Sequence, residues 1–171
     1  MSELAVSNKI ESLMAGLASR DRRARRQARE TLVAIGQPSV ASLLTALNDP
    51  NQDVRWEAIK ALGEICDPAA AEALVKSLED EAVEVRWRAA ESLIALRYEG
   101  LIPLLRALIQ RSDSIRLRER AHQVLHSLAE PSDPNDLVTP VLKALEDVEP
   151  AMVAPVAAST ALRKLTASAN P

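Results

Sequence analysis

A short pattern recurs along this chain at nearly constant intervals, and it restricts the folds that the chain can adopt. The segment Val54–Ala58, VRWEA, returns 31 residues later as Val85–Ala89, VRWRA. Weaker copies lie at Ala24–Ala28 and Leu117–Ala121, and a last, degenerate copy has Pro155 in place of the arginine. Tandem units of this length are typical of solenoids, in which each unit is too small to bury its own apolar side and therefore stacks on its neighbours.

Apolar residues around this pattern predict two helices in every repeat. Starting from Val54, they recur every three or four residues, which places them on one side of a helix that we call helix A. A second helix, B, follows after a short break that contains Gly or Pro, such as Asp67-Pro68. Helix B has two apolar columns of its own, which are Leu13, Leu43, Leu74, Leu104 and Val141, and Leu17, Leu47, Leu78, Leu108 and Leu145.

The fold class that follows is all-α, a right-handed α-α superhelix of about ten helices, in a single domain over residues 1–171. We expect a lone B helix at about residues 8–18 and a last A helix at about 150–166. Four A/B repeats lie between them, at about 21–48, 51–79, 83–111 and 114–147. The larger final step of the B columns is assigned to a polar, proline-containing loop at residues 130–136.

Composition favours a cytoplasmic helical protein. Hydrophobic residues make up 47% of the chain but aromatic residues only 2%, so small aliphatic side chains form the core, which suits closely packed helices. A formal net charge of −3 provides no general attraction for nucleic acid. The single cysteine, Cys66, excludes an internal disulfide, and no apolar run suits a membrane helix or a signal peptide.

Two consecutive repeats carry the residues that allow a comparison with a known family. Asp49 precedes Arg55 by six residues, and Asp80 precedes Arg86 by the same distance. Together with the valine before each arginine and the alanine three residues after it, this spacing resembles HEAT-like repeats, in particular the short ones of phycobilisome lyase subunits. The resemblance covers about residues 8–166 and implies a ladder of aspartate and arginine side chains. It implies no single function, because the same repeat serves many partners.

Two tryptophans and one stripe of helix B are the candidate partner-binding residues. Trp56 and Trp87 share a column on the outward side of helix A, where we expect an apolar ledge with Arg26 over Trp56 as a cation–π partner. The alternative is that these indoles cover the next repeat. In HEAT-type solenoids the B helices line the concave surface. An outward column of helix B therefore predicts a mildly basic line there, formed by Lys76, Arg106 and Lys143, with Thr45 at the same column of the first repeat.

Three other groups of residues are explained better by surface or loop positions than by chemistry. Glu119, His122 and His126 share one helix face and have the donor types of a zinc site, but their spacing matches no catalytic motif. Cys66 stands beside a carboxylate, which disfavours a thiolate. The basic run Arg20–Arg29 suits an acidic protein surface, phosphates or a solvated helix face. We predict no catalytic residue, no metal site and no cofactor.

The sequence therefore favours a non-catalytic scaffold for protein–protein interaction that holds its partner on the concave B-helix face. The alternative is an accessory subunit of a bilin lyase-type enzyme, which would handle a tetrapyrrole and a phycobiliprotein together. Met152, Val153, Val156 and Ala157 leave an apolar edge on the last helix, where we expect self-association. The expected partner is a protein, rather than a nucleic acid or a membrane.

Overall fold

The computed structural model describes residues 3–130 and 136–168, and that part of the chain contains ten α-helices and no strand. The helices are α1 Glu3–Leu17, α2 Arg22–Ile35, α3 Val40–Ala46, α4 Gln52–Ile65, α5 Ala71–Ser77, α6 Val83–Leu96, α7 Tyr98–Gln110, α8 Ile115–Leu128, α9 Val138–Leu145 and α10 Pro150–Ser168. The prediction of an all-α protein is confirmed. Residues 131–135, most of the predicted loop, lie outside the described residues. Packing divides the chain after Leu96 into an N-terminal unit and a C-terminal unit.

Helices α2 and α4 of the N-terminal unit start at residues whose side chains satisfy the first backbone N–H groups. Asp21 and Asn51 precede these helices in extended conformation, and they accept the N–H groups of Arg23 and Asp53 at 2.9 Å. Such a cap stabilises a helix by about 1 kcal/mol. Helix α2 ends at Gly36, whose φ of +74° favours glycine because a side chain would be strained there.

The B helices α3 and α5 of this unit are short. Each has seven residues and follows a 3₁₀ turn. The turns are Gln37–Ser39, with Pro38 at its second position, and Pro68–Ala70, with Pro68 at its first. Proline fits there because its missing N–H would have no helical partner. Helix α4 packs against α2, α3 and α6, and α5 packs against α6. The core consists largely of the predicted columns, and its fully buried leucines include Leu17, Leu32, Leu43, Leu62, Leu74, Leu78 and Leu93.

Helices α4 and α6 make close contact at Gly63. A Cβ placed on Gly63 would lie 2.7 Å from Cβ of Ser92 and 3.0 Å from its Cα. The buried Ser92 hydroxyl donates to the carbonyl oxygen of Ile59 at 3.1 Å, which adds a polar contact between the two helices. The A helices of two consecutive repeats therefore approach at a distance that requires glycine.

The C-terminal unit consists of α7 to α10. Helix α10 packs against α7 and α9, and α8 packs against the same two helices. The start of α9 is held by Asp136, whose carboxylate accepts the N–H groups of Val138 and Thr139 at 2.8 and 3.2 Å and also the Thr139 hydroxyl. Burial opposes ionisation of Asp136, but these hydrogen bonds outweigh it and hold the pKa of its carboxyl below the usual value.

Candidate partner-binding surface

The repeated arginine of helix A binds the backbone of the turn that precedes its own helix. Nη1 of Arg55 donates to the carbonyl oxygens of Asp49 and Pro50 at 2.8 and 3.2 Å. The bond to the carbonyl six residues earlier recurs from Arg25 to Ser19, from Arg86 to Asp80 and from Arg118 to Ser112. One contact made four times explains the repeated arginine, which ties the turn between repeats to the following helix.

Arg55 also connects two consecutive repeats. Its Nε and Nη2 donate to the two carboxylate oxygens of Asp80 at 2.8 and 2.9 Å, and both side chains are largely buried. This hydrogen bonding to Asp80 raises the pKa of Arg55 above its ordinary value. The ladder that the resemblance implied is thus present at Asp80. At Asp49 the carboxylate instead accepts the N–H of Asn51 at 2.8 Å.

A buried ion pair between α2 and α4 was not found from the sequence. Nη1 of Arg29 lies 2.7 Å from Oε2 of Glu57, and the two side chains are 6% and 5% exposed. Arg25 Nε lies 3.8 Å from the other carboxylate oxygen of Glu57. The pair escapes column analysis because Ile59 occupies the position of Arg29 in the next repeat. Removing one partner would leave a buried charge without its main counter-charge and lower the free energy of unfolding by about 3–5 kcal/mol. Separating the two side chains is unfavourable for the same reason, so the pair fixes their positions.

The basic run at the start of α2 divides into two groups. Arg26 belongs to the engaged group, since its Nε donates to Glu30 at 2.7 Å; this hydrogen bond raises the pKa of Arg26 and lowers that of Glu30. Within the described ranges, by contrast, no hydrogen bond or ion pair engages the guanidinium groups of the first three arginines, Arg20, Arg22 and Arg23, which are all exposed.

Trp56 is half-buried and has two cations over its ring. Cζ of Arg88, on the next A helix, lies 4.7 Å from the centre of the indole, and Nζ of Lys60 lies 5.3 Å from it. Cations at these distances are attracted to the face of the ring, so they stabilise the observed position of the indole. The predicted contact of Arg26 with Trp56 is wrong, because the Arg26 side chain binds Glu30 on its own helix.

Trp87 lies on the same surface and is more open, with 48% of the residue exposed. Together with Trp56, Val83 and Arg88, it lines a cleft of about 370 Å³. Trp56 also lines two further clefts of the N-terminal unit, of about 290 and 740 Å³. We call these three clefts together the tryptophan surface. The structure therefore brings the two indoles to one cleft but gives them different environments.

The repeated columns and the helical hairpins agree with a comparison against protein families. The profile described as HEAT repeats matches residues 40–126, just over half of the chain. The chain belongs to the HEAT repeat family. Repeats of this family commonly serve as protein-interaction scaffolds. No curated protein matched the chain, and none of its described helices is long and apolar enough to cross a membrane.

The B-helix stripe of these HEAT repeats is exposed at every predicted position, in α3, α5, α7 and α9, which carry Thr45, Lys76, Arg106 and Lys143. The hydroxyl of Thr45 is used within its own helix, where it donates to the carbonyl oxygen of Ala41 at 3.1 Å. In the C-terminal unit, Lys143 lines a cleft of about 480 Å³ between α9 and α10. The two tryptophans do not belong to this stripe, because Trp56 and Trp87 are carried by the A helices α4 and α6.

Three of the remaining candidate residues of this HEAT repeat chain, His122, His126 and Cys66, have local partners. His122 Nε2 lies 3.0 Å from a carboxylate oxygen of Glu146, and its ring stacks on His126 with centroids 6.2 Å apart. In residues 3–130 and 136–168, no group of three or more His, Cys, Asp or Glu is placed to hold a metal ion. Cys66 ends α4 at a φ of +55°, and its thiol donates to the carbonyl oxygen of Gly63.

Proposed function

We propose that this HEAT repeat chain is a non-catalytic scaffold for protein–protein interaction and that the tryptophan surface is its binding face. The observation that carries the proposal is the position of Trp87, 48% exposed at a cleft that it shares with Trp56. Tryptophan dominates many interfaces because it buries a large apolar area while losing little conformational entropy. A tryptophan exposed to this extent beside a cleft is a suitable anchor for a partner side chain.

The surroundings of Trp87 support the proposal because they are already ordered. Arg88, which lines the cleft with both indoles, lies over Trp56 and also pairs with Glu91, so two contacts hold its side chain. The close contact of Gly63 with Ser92 also fixes α4 against α6, the two helices that carry the indoles. A preorganised surface loses less entropy on binding and so binds more tightly for the same contacts.

The B-helix stripe is the second candidate face, and it rests on the prediction that B helices line the concave side. Its support is the exposure of Thr45, Lys76, Arg106 and Lys143, one from each of four B helices. Within each unit, a charged side chain of this column is open to a partner, Lys76 in the N-terminal unit and Lys143 in the C-terminal unit. An experiment on the scaffold function must therefore compare the two faces.

Affinity capture from a lysate of the source cells, read by quantitative mass spectrometry, tests the scaffold function. Trp87→Ala is compared with Tyr98→Ala, a control that removes another exposed aromatic residue from the C-terminal unit. Lys76→Glu combined with Lys143→Glu tests the B-helix stripe. We expect a specific partner that the wild type and Tyr98→Ala retain and Trp87→Ala loses. Loss only in the lysine variant would assign the partner to the B-helix face, and no specific partner in any sample would contradict the scaffold function.

The bilin-lyase alternative rests on the resemblance, and it has a separate test. An accessory lyase subunit binds a tetrapyrrole, whose visible absorption band shifts when it enters a protein site. Titration of a bilin with the purified chain would show that shift if the alternative holds. An unchanged spectrum would contradict it and leave the scaffold function standing.

We also propose that the chain associates with a second copy of itself through α10. The supporting observation is a group of exposed apolar residues, since Val148, Met152 and Val156 are 97%, 69% and 67% exposed. Large exposed apolar patches are typical of interaction sites. Light scattering on purified protein measures the mass in solution. We expect a dimer that Met152→Asp combined with Val156→Asp converts to a monomer, and a monomeric wild type would contradict the proposal.

A further inference from the structure

We propose that the cleft between α2 and α4 binds a short acidic segment of the partner protein. The inference rests on the proposed scaffold function, because it names the chemistry of what the scaffold holds. The cleft has a volume of about 740 Å³ and forms part of the tryptophan surface. Its charged lining consists of three anionic side chains, Asp21, Glu30 and Glu57, and five cationic ones, Arg22, Arg23, Arg26, Arg29 and Lys60.

The three anions of this cleft already have partners within the chain. Glu57 is buried against Arg29, and Glu30 accepts the hydrogen bond of Arg26. The carboxylate of the third, Asp21, caps α2 by accepting a backbone N–H. Two of the five cations are therefore matched by two of the three anions, and the third anion is committed to the helix end.

Of the remaining cations, Arg22 and Arg23 have no such match, because no carboxylate in the part of the chain that the structure describes lies within ion-pair distance of either. Lys60 forms no close ion pair, but its charge contributes to lowering the pKa of Glu30. Nζ of Lys60 faces the indole of Trp56, and both arginines are exposed. The cleft is thus a positive site on a chain whose formal net charge is −3. Aspartate and glutamate side chains complement it, and guanidinium groups bind carboxylates with two parallel hydrogen bonds.

The environment of Trp56 favours an acidic peptide over a single-stranded nucleic acid. Proteins that bind single strands stack successive bases on open aromatic faces. Here Arg88 and Lys60 lie over the indole of Trp56 at 4.7 and 5.3 Å, so the aromatic ring of the cleft is engaged by cations. The cleft offers charge without a stacking platform, which suits carboxylates.

Fluorescence anisotropy with a fluorescein-labelled hexaglutamate peptide tests the inference, and the same label on hexaglutamine is the control peptide. We expect saturable binding of hexaglutamate alone, weakened as salt rises from about 50 to about 300 mM because the charges are exposed. Arg22→Glu combined with Arg23→Glu should raise Kd about tenfold or more. Arg20→Glu combined with Arg116→Glu makes the same change in net charge at exposed positions outside the cleft, and its Kd should stay within about twofold.

Several outcomes would overturn the inference. Equal weakening in the two double variants would mean that net charge rather than the cleft attracts the peptide. A labelled oligodeoxythymidine that binds more tightly than hexaglutamate, with the same dependence on Arg22 and Arg23, would assign the cleft to nucleic acid. Circular-dichroism melts of both variants verify that they fold. If hexaglutamate fails to bind while capture of a partner still depends on Trp87, the acidic segment is refuted and the scaffold function stands.

Discussion

Arg55 and Asp80 form a two-bond ion pair between consecutive repeats, with Nε–Oδ2 and Nη2–Oδ1 distances of 2.8 and 2.9 Å. Asp80 also accepts the N–H of Ala82 at 2.9 Å, so one carboxylate shapes its own turn and binds the preceding repeat. Asp49 occupies the same turn position one repeat earlier and forms the equivalent turn bond, to Asn51. The two aspartates therefore share the turn bond and differ in the ion pair to the preceding repeat, so a comparison of their variants isolates the effect of that ion pair.

Asp80→Asn should lower the free energy of unfolding by about 2 kcal/mol, because the buried Arg55 guanidinium loses its main counter-charge while the turn bond survives. Asp49→Asn is the control and should cost less than about 0.5 kcal/mol. Urea denaturation followed by circular dichroism measures both. Equal losses in the two variants would show that the pair between repeats contributes nothing beyond the turn.

Gly63→Ala should destabilise the chain by about 1–3 kcal/mol, because the added Cβ overlaps Ser92 in the contact between α4 and α6. Ser92→Gly removes the side chain that the new methyl group meets. We therefore expect the double variant to melt at a higher temperature than Gly63→Ala alone, despite the lost hydrogen bond to Ile59. A double variant that is less stable than either single change would rule out this steric explanation.

Trp56→Ala should reduce the free energy of unfolding by about 2 kcal/mol, since the half-buried indole loses packing and its contacts with Arg88 and Lys60. Trp87→Ala should lower the free energy of unfolding by less than about 1 kcal/mol, because 48% of Trp87 is already exposed to solvent. Chemical denaturation of both variants gives the comparison. The reverse order would assign structural cover to Trp87 and remove it as the anchor of the binding face.

Stability should fall in acid in a way that depends on Asp136. Its pKa is depressed in the folded chain, so its contribution is present above its unfolded pKa of about 4 and is lost as the pH falls through the folded value. Asp136→Asn should lower the free energy of unfolding at neutral pH and weaken its decline below about pH 4. Denaturation curves at several pH values measure this, and an unchanged slope in the variant would contradict the assignment.

Much of the fold could be predicted because the repeat aligns residues that do the same structural work. The two helix B columns that begin at Leu13 and Leu17 consist largely of buried residues, and the arginine column binds the backbone carbonyl six residues earlier in four repeats. The pair of Arg29 with Glu57 could not be found this way, because it occurs once and joins different columns. The sequence also predicted the wrong cation over Trp56. Arg26 shares the column of Trp56, but a shared column does not show which side chain of a neighbouring helix contacts the ring, and Arg88 does so.

The sequence by itself determined the all-α class, the alternation of A and B helices and the apolar columns of the core, because helical periodicity depends only on local spacing. Only the tertiary structure decided that Arg88 lies over Trp56, that Asp80 rather than Asp49 receives an arginine, and that Arg22 and Arg23 remain unmatched. These outcomes depend on how far and at what angle adjacent helices approach. A difference of a few ångströms decides whether two side chains form a hydrogen bond, and the spacing of residues along the chain does not determine the distance between helices.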